Sequence, residues 1–174
     1  MRIIAGEYKG RTLFYGHKKE HRPTQDRVKE ALFNMIQGNC EGTIVLDAFA
    51  GTGSLGLEAL SRGAEKVIFI DKYIDFLKKN TNWLNDSEKV EIKRKSILNY
   101  IKSTSLKFDL IFLDPPWNQL ELFDITLKLI FDFDIISNNG LIICEHPKSI
   151  EVGYFSKSKQ TKTIGRTSLT LISK

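Results

Sequence analysis

The sequence predicts an α/β protein: an open, mostly parallel sheet with helices on both faces and an N-terminal β-hairpin arm. Three observations carry this. Residues 44–71 run strand, glycine-rich turn, helix, glycine stop and strand, with Asp47 and Asp71 at the strand tips. Leu110, Ile111, Phe112 and Leu113 form an almost wholly apolar run, as a central parallel strand buried on both faces requires. Short apolar runs alternate with helical patterns from residue 44 to residue 144.

Taken in order, residues 2–15 hold two β-prone runs around a turn at 7–10, a hairpin signature with Tyr8, Lys9 and Arg11 near its tip. The polar stretch 16–23 reads as a loop. Pro23-Thr24 opens a helix, with Thr24 as N-cap and Asp26 complementing the dipole. Val28, Ala31, Leu32, Met35 and Ile36 fall at helical spacing and face the core, which leaves Arg22, Gln25, Arg27 and Lys29 to solvent or a ligand. Gly38-Asn39 ends this helix. A strand over 44–46 leads into the turn 47–53. A helix over 54–62 then buries Leu55, Leu57, Ala59 and Leu60 and stops at Gly63. Next come a strand over 67–70, a helix over 74–85, a strand over 90–94 and a helical turn over 96–101. A strand over 110–113, a helix over 120–131 and a strand over 141–144 complete the alternating part, with Phe131, Phe133, Ile135 and Ile136 as core. In the tail, 154–155 and 163–172 predict two antiparallel strands. No linker divides the chain, so the expected organisation is a basic arm (1–22) on one domain (23–174).

At 174 residues the chain is long enough for a sizeable core, and no apolar run approaches the ~20 residues that cross a bilayer. The start M-R-I-I-A-G meets glycine and charge too soon for a secretory signal, which predicts a cytoplasmic protein without a membrane partner. Cys40 and Cys144 match neither a disulfide scaffold nor a metal spacing, and with three histidines no metal site is expected. His17 and His21 lie in a basic loop, and His146 follows Glu145 at the end of a strand. The net charge is +5, with +4 in residues 1–30, +5 in residues 148–174 and −4 between them. Two basic ends suit a polyanion such as nucleic acid.

Gly51, Gly53 and Gly56 satisfy G-x-G-x-x-G, with Asp71 twenty residues past Gly51. Glycines allow a tight turn and a close ligand, and Asp71 can accept hydrogen bonds from ribose hydroxyls. The spacing admits a nicotinamide cofactor or S-adenosylmethionine. Asp47 tilts the choice, because a carboxylate suits the ammonium and sulfonium of the methyl donor and is awkward beside a pyrophosphate.

Asp114-Pro115-Pro116-Trp117 is the sharpest signal. Consecutive prolines make a rigid corner and confine the residue before them. Such a corner aims the Asp114 carboxylate and the Pro115 carbonyl at an exocyclic amine, and Trp117 offers a face on which a base can stack. Hydrogen bonds to the amine favour sp³ nitrogen and stabilise the charge that grows as nitrogen attacks a methyl. The target base must leave its stack or already be unstacked. Guanine N2, adenine N6 and cytosine N4 all satisfy this chemistry.

Four segments carry a family resemblance: R-I-I-A-G-E-Y-K-G-R-T-L at 2–13, R-P-T-Q-D-R-V-K-E-A-L-F-N at 22–34, L-D-A-F-A-G-T-G-S-L-G-L-E-A-L-S-R-G-A at 46–64 and F-D-L-I-F-L-D-P-P-W at 108–117. With them the chain resembles a Rossmann-like class I S-adenosylmethionine-dependent methyltransferase. Within that class it is similar to the bacterial 16S ribosomal RNA guanine-N2 methyltransferases, the RsmD family. The resemblance implies a seven-stranded sheet whose last two strands form an antiparallel hairpin. It implies that the cofactor is S-adenosylmethionine, with its methionine end near Asp47, Ala48, Gly51, Thr52 and Gly53. The ribose would lie on Asp71 beside Lys72, and the adenine at Ser96 and Ile97, where serine departs from the family's usual acid or amide. Asp114, Pro115, Pro116 and Trp117 match the catalytic motif, with Asp114 also bordering the donor. Tyr8, Lys9, Arg11, Arg22, Thr24, Arg27 and Arg166 would lie on the RNA side. The implied partner is 16S rRNA within an assembling 30S subunit, approached by a monomer.

Three other readings compete. A nucleic-acid amino methyltransferase with another target base differs only in its product. A nicotinamide oxidoreductase conflicts with Asp47 and the Pro-Pro corner. A non-catalytic RNA-binding module needs neither the glycine turn nor the corner.

Overall fold

The computed structural model describes residues 1–15, 26–36, 40–84, 87–153 and 158–174. Seven strands form one sheet: β1 (Ile44–Asp47), β2 (Lys66–Asp71), β3 (Val90–Arg94), β4 (Phe108–Leu113), β5 (Ile136–Pro147), β6 (Lys159–Ile164) and β7 (Thr167–Ser173). Their order is β3-β2-β1-β4-β5-β7-β6. The first five are parallel, and β7 runs antiparallel to both β5 and β6. The expected mostly parallel, seven-stranded, Rossmann-like sheet is therefore present. Strand order reverses between β1 and β4, which makes the crevice at their carboxyl ends the natural ligand site.

Helices cover both faces. α1 (Asp26–Met35), α2 (Ser54–Ser61) and α3 (Asp75–Thr81) pack on one side, together with Ile3 and Leu13 of the N-terminal segment. α4 (Ile97–Ile101) and α5 (Glu121–Asp132) pack on the other. The strands between are apolar on both faces: Val67, Ile68, Phe69 and Ile70 of β2 are all fully buried. Gly56 of α2 sits so close to β2 that a Cβ there would lie 2.3 Å from the Phe69 ring. The third glycine of the motif thus sets the distance between helix and strand.

Several details depart from sequence expectation. Residues 2–15 form one antiparallel bridge, Arg2 with Thr12, rather than a two-stranded ladder. The two arms still bond each other as the expected hairpin does, with the Ile3 N–H on the Arg11 carbonyl at 2.9 Å, the Gly10 N–H on the Ile3 carbonyl at 2.9 Å and the Leu13 N–H on the Met1 carbonyl at 3.1 Å, while other backbone donors go to α2. Glu58 accepts the Ile4 and Ala5 N–H groups at 2.7 and 3.1 Å, and the Glu7 N–H reaches the Ser61 carbonyl at 2.8 Å. Gly6, at φ 81°, comes so near that a Cβ would fall 1.7 Å from the Ser61 oxygen.

Lys29, expected to face solvent or a ligand, is fully buried: its Nζ lies 3.3 Å from Glu58 Oε2 and donates to the Arg2 carbonyl at 2.6 Å and Ser54 Oγ at 3.1 Å. Phe133, expected in the core, is 47% exposed just past α5. β5 spans twelve residues where four were expected, because β7 pairs with it on to Pro147 and Phe108 of β4 pairs with Ile136 at its start. The terminal hairpin is β6–β7 and turns at Gly165 (φ 62°). Residues 154–155, expected to contribute a strand, lie outside the described residues, as do His17, His21, Pro23-Thr24 and Gly38-Asn39. Among the described residues no helix is long and apolar enough to cross a membrane.

Candidate active site

The turn after β1 is held by the two strand-tip acids. Gly51 and Gly53 both adopt positive φ, 54° and 80°, which bends the chain back over the strand ends. The Gly51 N–H donates to Asp71 Oδ2 at 2.7 Å, and the Tyr73 N–H donates to Asp71 Oδ1 at 2.8 Å. Asp71 is therefore a brace for the glycine turn as well as a candidate for ribose. The Gly56 N–H, in the first turn of α2, donates to Asp47 Oδ2 at 2.9 Å. Asp47 is otherwise shut away from water. Burial pushes its carboxyl up to about 7, against the Gly56 hydrogen bond, and the nearby Asp71 charge adds to the rise.

The corner after β4 differs. Pro115 is buried, Pro116 is exposed and its carbonyl accepts the Gln119 N–H at 2.8 Å, and Trp117 is half-buried. Asp114 is half-buried as well. Its carboxyl is held well above the carboxylate range, first by burial and then by the charges of Glu145 and Asp47. Sequence reading did not single out Glu145. Register supplies the missing signal: Leu113 of β4 pairs with Cys144 of β5, so the next residues, Asp114 and Glu145, fall side by side. Three acids from three adjacent strands thus converge at the switch point. Among the described residues no group of three or more His, Cys, Asp or Glu side chains could hold a metal ion.

The remaining site residues are spread around this centre. Ala48 is buried, and its N–H donates to the Phe112 carbonyl at 3.1 Å, locking β1 to β4 at the crevice. Thr52 is half-buried within the turn. Lys72 is exposed and its carbonyl accepts from Arg94 Nε at 3.3 Å. Ser96 occupies the N-cap position of α4 without a capping side-chain bond, and Ile97 behind it is buried. Both follow β3, whose last residue, Arg94, pairs with Asp71 at the tip of β2.

Lys9, Arg27 and Arg166 are exposed. Arg11 lays its guanidinium over the Trp83 ring at 3.7 Å, and Tyr8 meets the same ring edge-on at 4.9 Å. Those two side chains therefore have a packing partner as well as a surface position. Arg22 and Thr24 lie outside the described residues. His146 is packed: Nε2 bonds Thr170 Oγ1 at 2.8 Å and the ring meets Phe123 edge-on. Both thiols are buried, and burial raises Cys40 to about 11.

Known proteins resemble this chain in sequence and in fold. The chain matches the family described as "Conserved hypothetical protein 95" over residues 1–173. It is 42% identical over 154 residues to the ribosomal RNA small subunit methyltransferase D of Haemophilus influenzae, covering 85% of this chain and 79% of that one. Against the protein of the same name from Buchnera aphidicola the figures are 37% over 150 residues, 84% and 78%. The solved structure of the Escherichia coli protein yhhF superposes with a TM-score of 0.85 at 29% identity, covering 100% of this chain and 97% of that one. A solved Haemophilus influenzae structure gives 0.80 at 36%, covering 99% and 97%. With the sheet order, the glycine turn and the Asp-Pro-Pro-Trp corner in place, this chain belongs to the conserved hypothetical protein 95 family and is a class I methyltransferase related to the small-subunit ribosomal RNA methyltransferase D proteins.

Proposed function

We propose that this protein transfers a methyl group from S-adenosylmethionine to the exocyclic N2 amine of a specific guanine in 16S ribosomal RNA. The observation that carries the reading is the meeting, at one switch point, of a glycine turn with a buried acid and a Pro-Pro corner with Asp114. The names of the relatives supply the RNA.

The residues fit the donor. Burial makes a negative charge on Asp47 costly, and a cationic ligand end relieves that cost. A Cβ on Gly51 would meet nothing nearer than the Phe49 carbonyl at 4.0 Å, so the turn leaves room for a ligand against its backbone. Asp71 uses one lone pair of each oxygen on the turn and keeps the others for ribose hydroxyls. Ala48, Thr52 and Gly53 flank the methionine end, Lys72 the ribose, and Ser96 with Ile97 the adenine. When bound, the donor supplies an electrophilic methyl on a sulfonium.

The chain's own residues do the rest. Asp114 and the Pro115 carbonyl accept the two amine hydrogens, and Trp117 stacks on the base. Held this way, the nitrogen lone pair is released from ring conjugation and made available for attack. The donor would give its methyl to the nitrogen and leave as the thioether, and the positive charge that develops on nitrogen would be stabilised by Asp114 with Glu145 and Asp47 nearby. The nitrogen then gives up its proton to the Asp114 carboxylate, whose affinity for a proton is raised by burial. Exposed Lys9, Arg27 and Arg166, with Arg22 and Thr24, hold the RNA backbone as the protein approaches an assembling 30S subunit as a monomer in the cytoplasm.

Nucleoside digestion of small subunits methylated by the protein tests the reading. N2-methylguanosine is expected. N6-methyladenosine or N4-methylcytidine would overturn the base, and no methylated nucleoside would overturn the substrate.

A further inference from the structure

Asn80 of α3 is 1% exposed, and its side chain serves two distant segments. Its Oδ1 accepts the Phe14 N–H at 2.7 Å. Its Nδ2 donates to the Phe14 carbonyl at 2.9 Å and to the Thr52 carbonyl at 2.8 Å. Thr52 lies between the two left-handed glycines of the turn, where the donor is placed. Phe14 ends the N-terminal segment that carries Lys9 and Arg11, and chain continuity makes it the root of the stretch leading to Arg22 and Thr24. Phe14 and Tyr15 are themselves exposed aromatics, at 63% and 50%.

A second strap runs in parallel. Buried Lys29 bonds the Arg2 carbonyl on the same N-terminal segment and Ser54 Oγ at the other end of the glycine turn. Glu58 balances that charge while it accepts the Ile4 and Ala5 N–H groups. Both straps therefore cross from the segment facing nucleic acid to the turn facing the donor. Buried polar groups with every partner in place hold backbone tightly, because losing one partner leaves another unpaired.

We propose that Asn80 is a positioning residue that couples the two sites, so that donor and RNA strengthen each other's binding. Ordering the turn around a donor fixes Thr52, and Asn80 passes that order to Phe14; RNA settling on Phe14 and Tyr15 does the reverse. The two ligands then share one ordering cost, and linkage makes the enhancement equal in both directions. The inference rests on the proposed methyl-donor and RNA-binding reading.

The test measures binding of fluorescent 16S rRNA, with and without saturating S-adenosylhomocysteine, in wild type, N80A, F14P and F14A. F14P removes the Phe14 N–H at an exposed position and leaves Asn80 intact; F14A removes the ring and keeps the N–H. In wild type the donor product is expected to tighten RNA binding about fivefold or more, the lower end of ordinary coupling. In N80A the ratio should fall toward one; in F14P, which loses the N–H bond and keeps the Asn80 Nδ2 bond to the residue-14 carbonyl, it should fall part of the way; F14A keeps the wild-type ratio despite weaker RNA binding. A wild-type ratio of one, or a wild-type ratio retained in folded F14P, would overturn the coupling while leaving the methyltransferase reading intact. If N80A does not fold, F14P decides. Failure of wild type to bind S-adenosylhomocysteine at all would instead overturn the donor reading, and this inference with it.

Discussion

The turn after β1 and the corner after β4 stand side by side at the switch point, yet they use their acids differently. Asp71 and Asp47 bond the turn's own N–H groups at Gly51, Tyr73 and Gly56. Among the described residues no hydrogen bond reaches the Asp114 carboxyl; only burial and the neighbouring acids act on it. A donor that returns every cycle benefits from a turn already organised by its own acids. A reacting amine needs acceptors that are rigidly aimed and still uncommitted, and the prolines supply the rigidity that hydrogen bonds supply elsewhere.

That contrast predicts separable damage. The largest effect belongs to the uncommitted acid. D114A should lower turnover by roughly 10²–10³-fold, as loss of one aimed transition-state partner does elsewhere; near-normal turnover would break the comparison.

D47N comes next, and its effect is on stability. Burial lifts the Asp47 carboxyl to about 7 from its ordinary 3.8, so the penalty is absent below the lower value and complete above the higher one. Asn keeps an acceptor for the Gly56 N–H and carries no charge. The D47N-minus-wild-type difference in unfolding free energy should therefore grow between those two values and then level off, reaching at most about 4 kcal/mol. A difference independent of pH in chemical denaturation would refute the assigned cause.

D71A removes both a ribose partner and the brace for Gly51. Calorimetry should show donor affinity down about tenfold, equivalent to ~1.4 kcal/mol. G56A sharpens the structural half of the argument: overpacking against Phe69 should cost roughly 1–3 kcal/mol of stability in thermal unfolding. The smallest effect is R166A, where the salt dependence of RNA affinity should lose about one unit of slope with the product unchanged.

Most of the fold was legible because its signals are local. Glycines at 51, 53 and 56, acids at strand tips and apolar runs at 67–70 and 110–113 each report their own environment. What escaped was set by partners far along the chain. Lys29 reads as solvent-facing because a lysine ordinarily is; only Glu58, across the packing of α1 on α2, makes its burial tolerable. Residues 2–15 do fold back as a hairpin, but its docking was not legible: Glu58 and Ser61 of α2 take the Ile4, Ala5 and Glu7 N–H groups that a longer ladder would use. Glu145 carries no motif, and only the pairing of β4 with β5 brings it to Asp114. Asn80 is likewise unremarked in sequence and becomes meaningful through two bonds to Phe14 and one to Thr52.

The measurement that tests the account most directly pairs two assays on two variants. Donor affinity by calorimetry and single-turnover methyl transfer to 30S subunits from cells lacking the enzyme would be measured for D114A and D71A. The account predicts that D114A binds the donor within about twofold of wild type and transfers almost nothing, since it loses a transition-state partner. It predicts that D71A binds weakly and recovers much of its transfer at saturating donor. D114A losing donor affinity in step with turnover, or D71A failing to recover at any donor concentration, would contradict the division between an organised donor turn and an uncommitted catalytic corner.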